Sequence, residues 1–144
     1  PPQLLVTVPD QHTRFTADVP LDQPPVLLED HFPAWGEAYL DSDVESRTRN
    51  PHAVAVPYGP AADIRAAWNG LFPYDPDQII APTMIVRWEW DSLYDDADAK
   101  WLFDSLTACD EKQDVQISHA THLMHLERRR FALYAACRSF LALP

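Results

Sequence analysis

The chain has 144 residues, 47% hydrophobic and 11% aromatic, which is enough for one ordinary domain with a packed core and too apolar for a disordered segment. Its 22 acids against 11 Lys and Arg give a net charge of −11, which argues against nucleic acid and against a membrane surface as partners. Three glycines leave no phosphate-cradling loop, and no apolar run approaches the length of a membrane span.

The start, Pro1-Pro2-Gln3-Leu4-Leu5, has neither an initiator methionine nor a charged segment followed by a hydrophobic one, so it reads as a processed, truncated or partial end. Up to about Pro33 the chain is punctuated by Pro9, Pro20, Pro24, Pro25 and Pro33 and reads mostly as connecting segment. From Pro33 the spacing predicts a helix, with Trp35 and Tyr39 on one face, fading near Asp41-Ser42-Asp43. The apolar Ala53-Val54-Ala55-Val56 is too short to classify. Pro60 suits the first turn of a further helix on which Ile64 and Trp68 share a face, and Asn69-Gly70 supplies its stop.

The pattern then changes. Thr83-Met84-Ile85-Val86 is a continuous apolar run, as expected of a strand covered on both faces. Asp95 or Asp96 can cap a helix to about Leu106 whose apolar stripe is Trp101, Leu102, Ser105 and Leu106. Val115-Gln116-Ile117 predicts a second strand. A long helix is expected from about Met124 to Leu141, burying Leu126, Phe131, Tyr134, Cys137 and Leu141. Cys109 and Cys137 both fall in expected helices with no metal spacing, and reduced, buried thiols fit a cytoplasmic protein. Strand, helix, strand, helix builds a parallel sheet, but two strands make an incomplete one. The division expected is residues 1–76 as linker and helical region and 77–144 as part of an α/β core.

Two titratable residues stand at the ends of the expected strands. Asp91 closes Pro82-Thr83-Met84-Ile85-Val86-Arg87-Trp88-Glu89-Trp90-Asp91, and His122 lies in Ala120-Thr121-His122-Leu123-Met124-His125-Leu126-Glu127. Alone, Asp91 is as well explained by a cap or loop acid, and His122 by a histidine bonded to backbone at a helix start. Together, a carboxylate on one imidazole nitrogen fixes the tautomer and leaves the other free as general base, a relay that still needs a nucleophile. His119, His122 and His125 recur every three residues, but their positions straddle a strand end, a loop and a helix start, and no carboxylate or cysteine completes a ligand pattern. No metal and no cofactor is expected.

These segments, from about Pro51 to Leu141, resemble the C-terminal portion of an α/β-hydrolase. In that family the triad acid follows the penultimate core strand and the histidine follows the last. By position, the resemblance implies Asp91 as the acid, His122 as the histidine, and Glu127 as the acid commonly found in the first turn of the last helix. Residues from Arg49-Asn50-Pro51 through Trp68 to Tyr74-Asp75-Pro76 are similar to the small helical cap that some members insert. Family members usually carry glycine where Trp88 stands, and often where Ala120 stands. None of Ser42, Ser46, Ser92, Ser105, Ser118 and Ser139 sits in a Gly-x-Ser-x-Gly elbow.

The resemblance therefore implies a hydrolase of an ester, lactone or amide whose nucleophile lies outside this segment, in an N-terminal part of the same fold on the same or a separate chain. Trp35, Tyr39, Trp68 and Trp88 are its candidate substrate-binding residues, favouring a small apolar or aromatic substrate. A homodimer is compatible with that reading. The alternatives are an aspartate nucleophile, as in dehalogenases and epoxide hydrolases, and a non-catalytic member that binds a ligand or a partner chain.

Overall fold

A computed structural model describes residues 3–28 and 30–142 and shows a mixed α/β chain with five α-helices and two two-stranded sheets among those residues. It divides into two compact units, Pro1–Arg14 with Glu29–Asp75, and Phe15–Leu28 with Pro76–Pro144. Residues 15–28 thus belong with the later stretch of the chain. No helix among the described residues is long and apolar enough to cross a membrane.

In the first unit, β1 (Gln3–Val6) pairs antiparallel with β2 (Val54–Pro57), Leu4 opposite Val56 and Val6 opposite Val54. Between them lie α1 (Val8–Thr16), which continues to Arg14 in this unit, and α2 (His31–Asp41). This corrects the expectation of connecting chain before Pro33. The residues Thr7-Val8-Pro9-Asp10 form a reciprocal cap: the Thr7 amide donates to Asp10 Oδ2 at 3.0 Å, and the Asp10 amide donates to Thr7 Oγ1 at 3.1 Å. Pro9 falls in the first turn, where a missing N–H costs nothing, so it starts the helix rather than breaking it. The Thr7 hydroxyl, which donates to Asp10 Oδ2 at 2.6 Å, and then the Thr7 amide hold the Asp10 carboxyl below the ordinary carboxylate range.

On α2, Trp35 stacks on Tyr39 with centroids 5.0 Å apart, and Phe32 packs against both Trp35 and His12. Gly36 is buried at a close approach: a Cβ there would lie 2.8 Å from Val8 Cγ1. Beyond α2, Asp43 accepts from the amides of Ala55 and Glu45 and from Arg49, which together depress its pKa to about 2. This carboxylate ties the turn after α2 to β2. The helix α3 (Gly59–Trp68) has Pro60 in its first turn and ends before Gly70, whose φ of 79° suits glycine.

In the second unit, β3 (Thr83–Trp88) and β4 (Lys112–Ile117) run parallel, with Val86 opposite Val115 and Trp88 opposite Ile117. Parallel neighbours need a crossover, and α4 (Asp96–Ser105) supplies it. Asp95 caps α4 by accepting from the amides of Ala97 and Asp98, while Asp98 returns a bond to the Asp95 amide. One sheet face carries Val86, Trp88, Val115 and Ile117, packed with Ala120, Met124, Ala132 and Leu133. The other carries Arg87, which pairs with Asp114 at 2.9 Å and with Asp96. Leu106 and Met124 are each 1% exposed, and each such side chain stabilises the fold by roughly 1.5–3 kcal/mol.

The final helix departs from its expected form. Met124–Leu126 is a single 3-10 turn, and α5 begins only at Arg130 and runs to Leu141. Its packed side includes Ala132 and Leu133, whereas Phe131 and Leu141 are exposed, so the helix is rotated by about one residue from the expected stripe. Trp101 on α4 is likewise largely outside the core, and Cys109 lies in the turn after α4 rather than in a helix. Both cysteines are free.

Candidate active site

The backbone brings the two strand ends together. Past β3, the Glu89 amide donates to the Ile117 carbonyl and the Trp90 amide to the Ala120 carbonyl, both at 3.0 Å. The acid-bearing loop is thereby laced to the histidine loop. Glu89 reinforces it by accepting from the His119 amide at 2.8 Å, and the Trp90 ring stacks on the His119 ring. His119 itself sits in the left-handed region, with φ of 55°, where the chain leaves β4.

As a result His122 Nδ1 lies 3.3 Å from Asp91 Oδ2, across 31 positions of sequence. The Asp91 side chain is 3% exposed, and both its oxygens are engaged: Oδ1 accepts from the Leu93 amide, and Oδ2 also accepts from the indole N–H of Trp88. The His122 side chain keeps 30% exposure. Three aromatic rings surround it: Phe15 stacked at 5.6 Å, Tyr94 at 6.1 Å, and Trp88 edge-on at 5.2 Å. A buried carboxylate against Nδ1 of a ring that is walled by aromatics and partly open fixes the ring's orientation and leaves Nε2 as its remaining proton-exchanging atom.

A second acid steadies the loop from below. Glu127 is fully buried and accepts from the Thr121 amide at 3.0 Å and from the Thr121 hydroxyl. Burial lifts its pKa above the ordinary carboxylate range, against the opposing pull of the Thr121 hydroxyl and amide. Glu127 was expected in the first turn of the last helix. It lies instead just after the 3-10 turn and before α5, with its backbone bridged to Leu27. The neighbouring His125 is shifted below the ordinary imidazole range, first by desolvation of its ring although much of the residue is exposed, and then by the charge of His122.

A cavity of about 200 Å³ opens beside the pair, walled by Ile85, Trp88, Tyr94, Ala99 and Leu102. Trp88 therefore has two positions at once, in the cavity wall and on the Asp91 carboxylate. Trp35, Tyr39 and Trp68 belong to the first unit, where Trp35 and Tyr39 stack on one another and Trp68 is 65% exposed. The three histidines do not converge: His119 faces Trp90 and His122 faces Asp91. Among the described residues no three His, Cys, Asp or Glu side chains are grouped to hold a metal ion.

Sequence reasoning missed Phe15 and Tyr94. Phe15 was hidden in a segment read as connecting chain. Tyr94, three residues after Asp91, was visible as an aromatic beside the acid. Thr121 was also missed, although its place directly before His122 and a hydroxyl able to bond a buried acid were both legible. Comparison with protein-family models, with curated proteins and with solved structures finds no match.

Proposed function

We propose that the Asp91–His122 pair is a proton relay of α/β-hydrolase type, and that the second unit is the C-terminal part of such a fold. The reading is supported above all by one observation: the two side chains meet at 3.3 Å from the C-terminal ends of adjacent parallel strands. Ligands in open parallel sheets are received at those ends, and the order acid then histidine is that of the family. In the reaction, a nucleophile outside these residues attacks an ester, lactone or amide carbonyl. His122 Nε2 takes its proton and returns it to the leaving group, while Asp91 holds Nδ1–H and stabilises the imidazolium. None of the six serines sits in a Gly-x-Ser-x-Gly elbow, and Ser42, Ser46 and Ser105 spend their hydroxyls on backbone carbonyls, so the nucleophile is sought elsewhere.

The test is ester turnover by the protein that includes these residues, compared in wild type, His122→Ala and Asp91→Asn. Loss of at least about 10²-fold in kcat is expected for His122→Ala, with a severe but smaller loss for Asp91→Asn. Unchanged turnover in both variants would remove the relay. A ligand-binding role without turnover is the second reading, favoured by the Trp88 indole occupying the same carboxylate oxygen as His122.

A further inference from the structure

The cavity beside Asp91 and His122 has an uneven charge. Arg87, in its lining, is already neutralised by Asp114 and Asp96, whereas among the described residues the lining carboxylates Asp95 and Asp98 bond only to backbone amides of the α4 cap. Those bonds leave their negative charge intact. At the rim these two exposed carboxylates have no cationic partner among the described residues, and the rings of Trp88 and Tyr94 line the same cavity. Carboxylates beside aromatic rings are the combination that recognises an organic cation, through Coulomb attraction and the negative face of the ring. Deeper in, Ile85, Ala99 and Leu102 offer only apolar surface. At about 200 Å³ the space is smaller than a site for a drug-sized ligand.

We propose that this cavity binds a small ammonium compound with an apolar or aromatic body, its cationic head at Asp95 and Asp98 and its body against Ile85, Ala99 and Leu102. The inference rests on the proposed relay only in naming the substrate class, a small cationic ester or amide. Ligand binding itself is read without turnover, so the two can fail separately.

The experiment uses three near-isosteric probes, benzylamine, benzyl alcohol and benzoate, followed by the indole N–H resonance of Trp88 in 15N-labelled protein and assigned with Trp88→Phe. Benzylamine, protonated at neutral pH, is expected to bind saturably and at least about fivefold more tightly than benzyl alcohol at low salt, the upper range of an exposed ion pair. Benzoate is expected not to bind. High salt should erase the preference by screening. In the double variant Asp95→Asn, Asp98→Asn, in which asparagine keeps the helix cap while removing the charge, the ratio of benzylamine to benzyl alcohol affinity should fall close to one. Benzoate binding as well as benzylamine, a ratio unchanged in the double variant, or no saturable shift at Trp88 would each overturn the proposal. An unchanged ratio would assign the preference to the general negative charge of the chain. Should the double variant fold poorly, the single variant Asp98→Asn, which leaves the Asp95 cap in place, serves instead, and an unchanged ratio there would equally overturn the proposal.

Discussion

The Thr121 amide and hydroxyl both donate to the buried carboxylate of Glu127, so the residue directly before His122 is fixed by an acid with no solvent access. Thr121→Val keeps the shape and the amide bond but removes the hydroxyl. It leaves a buried carboxylate short of a donor, and a loss of about 1–3 kcal/mol in unfolding free energy is expected. Denaturant unfolding measures it, and a change within error would show that water serves the carboxylate equally well.

Glu127 also makes stability depend on pH. Its folded-state pKa is raised by burial, so the folded chain holds this proton to higher pH than the unfolded chain does. Between the unfolded value and the raised folded one, each increase in pH favours unfolding. The stability of wild type relative to Glu127→Gln is therefore expected to be greatest below about pH 4, to fall as pH rises through that window, and to level above it. A difference that grows with pH would mean that the Thr121 hydrogen bonds outweigh desolvation.

The Trp88 indole N–H gives Asp91 a partner other than His122. Trp88→Phe retains an aromatic edge against His122 and removes the donor. Because a smaller ring also leaves space, the bond is best isolated by a double-mutant cycle with Asp91→Ala, which, unlike asparagine, leaves no acceptor for the indole. A coupling of about 1.5–3 kcal/mol is expected for a hydrogen bond to a buried charge. Additive effects of the two substitutions would show that the indole does not hold the carboxylate.

Gly36 can be tested by a rescue. Alanine in a helix interior ordinarily gains roughly 0.5–1 kcal/mol over glycine. Here the new Cβ would meet Val8 Cγ1 at 2.8 Å, and valine has little rotamer freedom to yield. Overpacking of this kind costs about 1–3 kcal/mol, so Gly36→Ala should destabilise on balance. Adding Val8→Ala should recover part of the loss, which thermal melts of the single and double variants would show.

Asp43 predicts a different acid response. Its pKa is depressed to about 2 by the amides of Ala55 and Glu45 and by Arg49, so its stabilising effect is complete above the unfolded carboxylate value and is lost as pH falls through the folded one. Asp43→Asn should lower stability at neutral pH and flatten the acid limb of the pH profile. An unaltered limb would mean that other carboxylates set it.

Local chemistry made much of this fold readable. Thr83-Met84-Ile85-Val86 declared a strand, Asp95-Asp96 declared a cap that the structure assigns to Asp95, and Asn69-Gly70 declared a stop, because each depends on residues a few positions apart. What escaped depends on distant partners or on how a breaker is used. Pro9 looked like an interruption until Thr7 and Asp10 were seen to cap around it. Val54–Pro57 became a strand only through pairing with Gln3–Val6. The face of α5 was misread because its rotation is set where the chain leaves Glu127, and a helical period alone does not fix its phase. At the site, Asp91 and His122 were visible as residue types, but the bonds from Glu89 and Trp90 to the far strand, which bring them together, leave no periodic trace.

Arg87 bonds Asp114 through Nε at 2.9 Å and through a second nitrogen at 3.0 Å, and so ties β3 to β4 across two parallel strands. A slip of one residue between those strands would slide their ends past each other by about 3.3 Å and turn the guanidinium toward the apolar side of the sheet. That displacement matches the whole separation of His122 from Asp91. A charged clasp on the face of the sheet that α4 covers thus favours the register in which the acid and the imidazole meet.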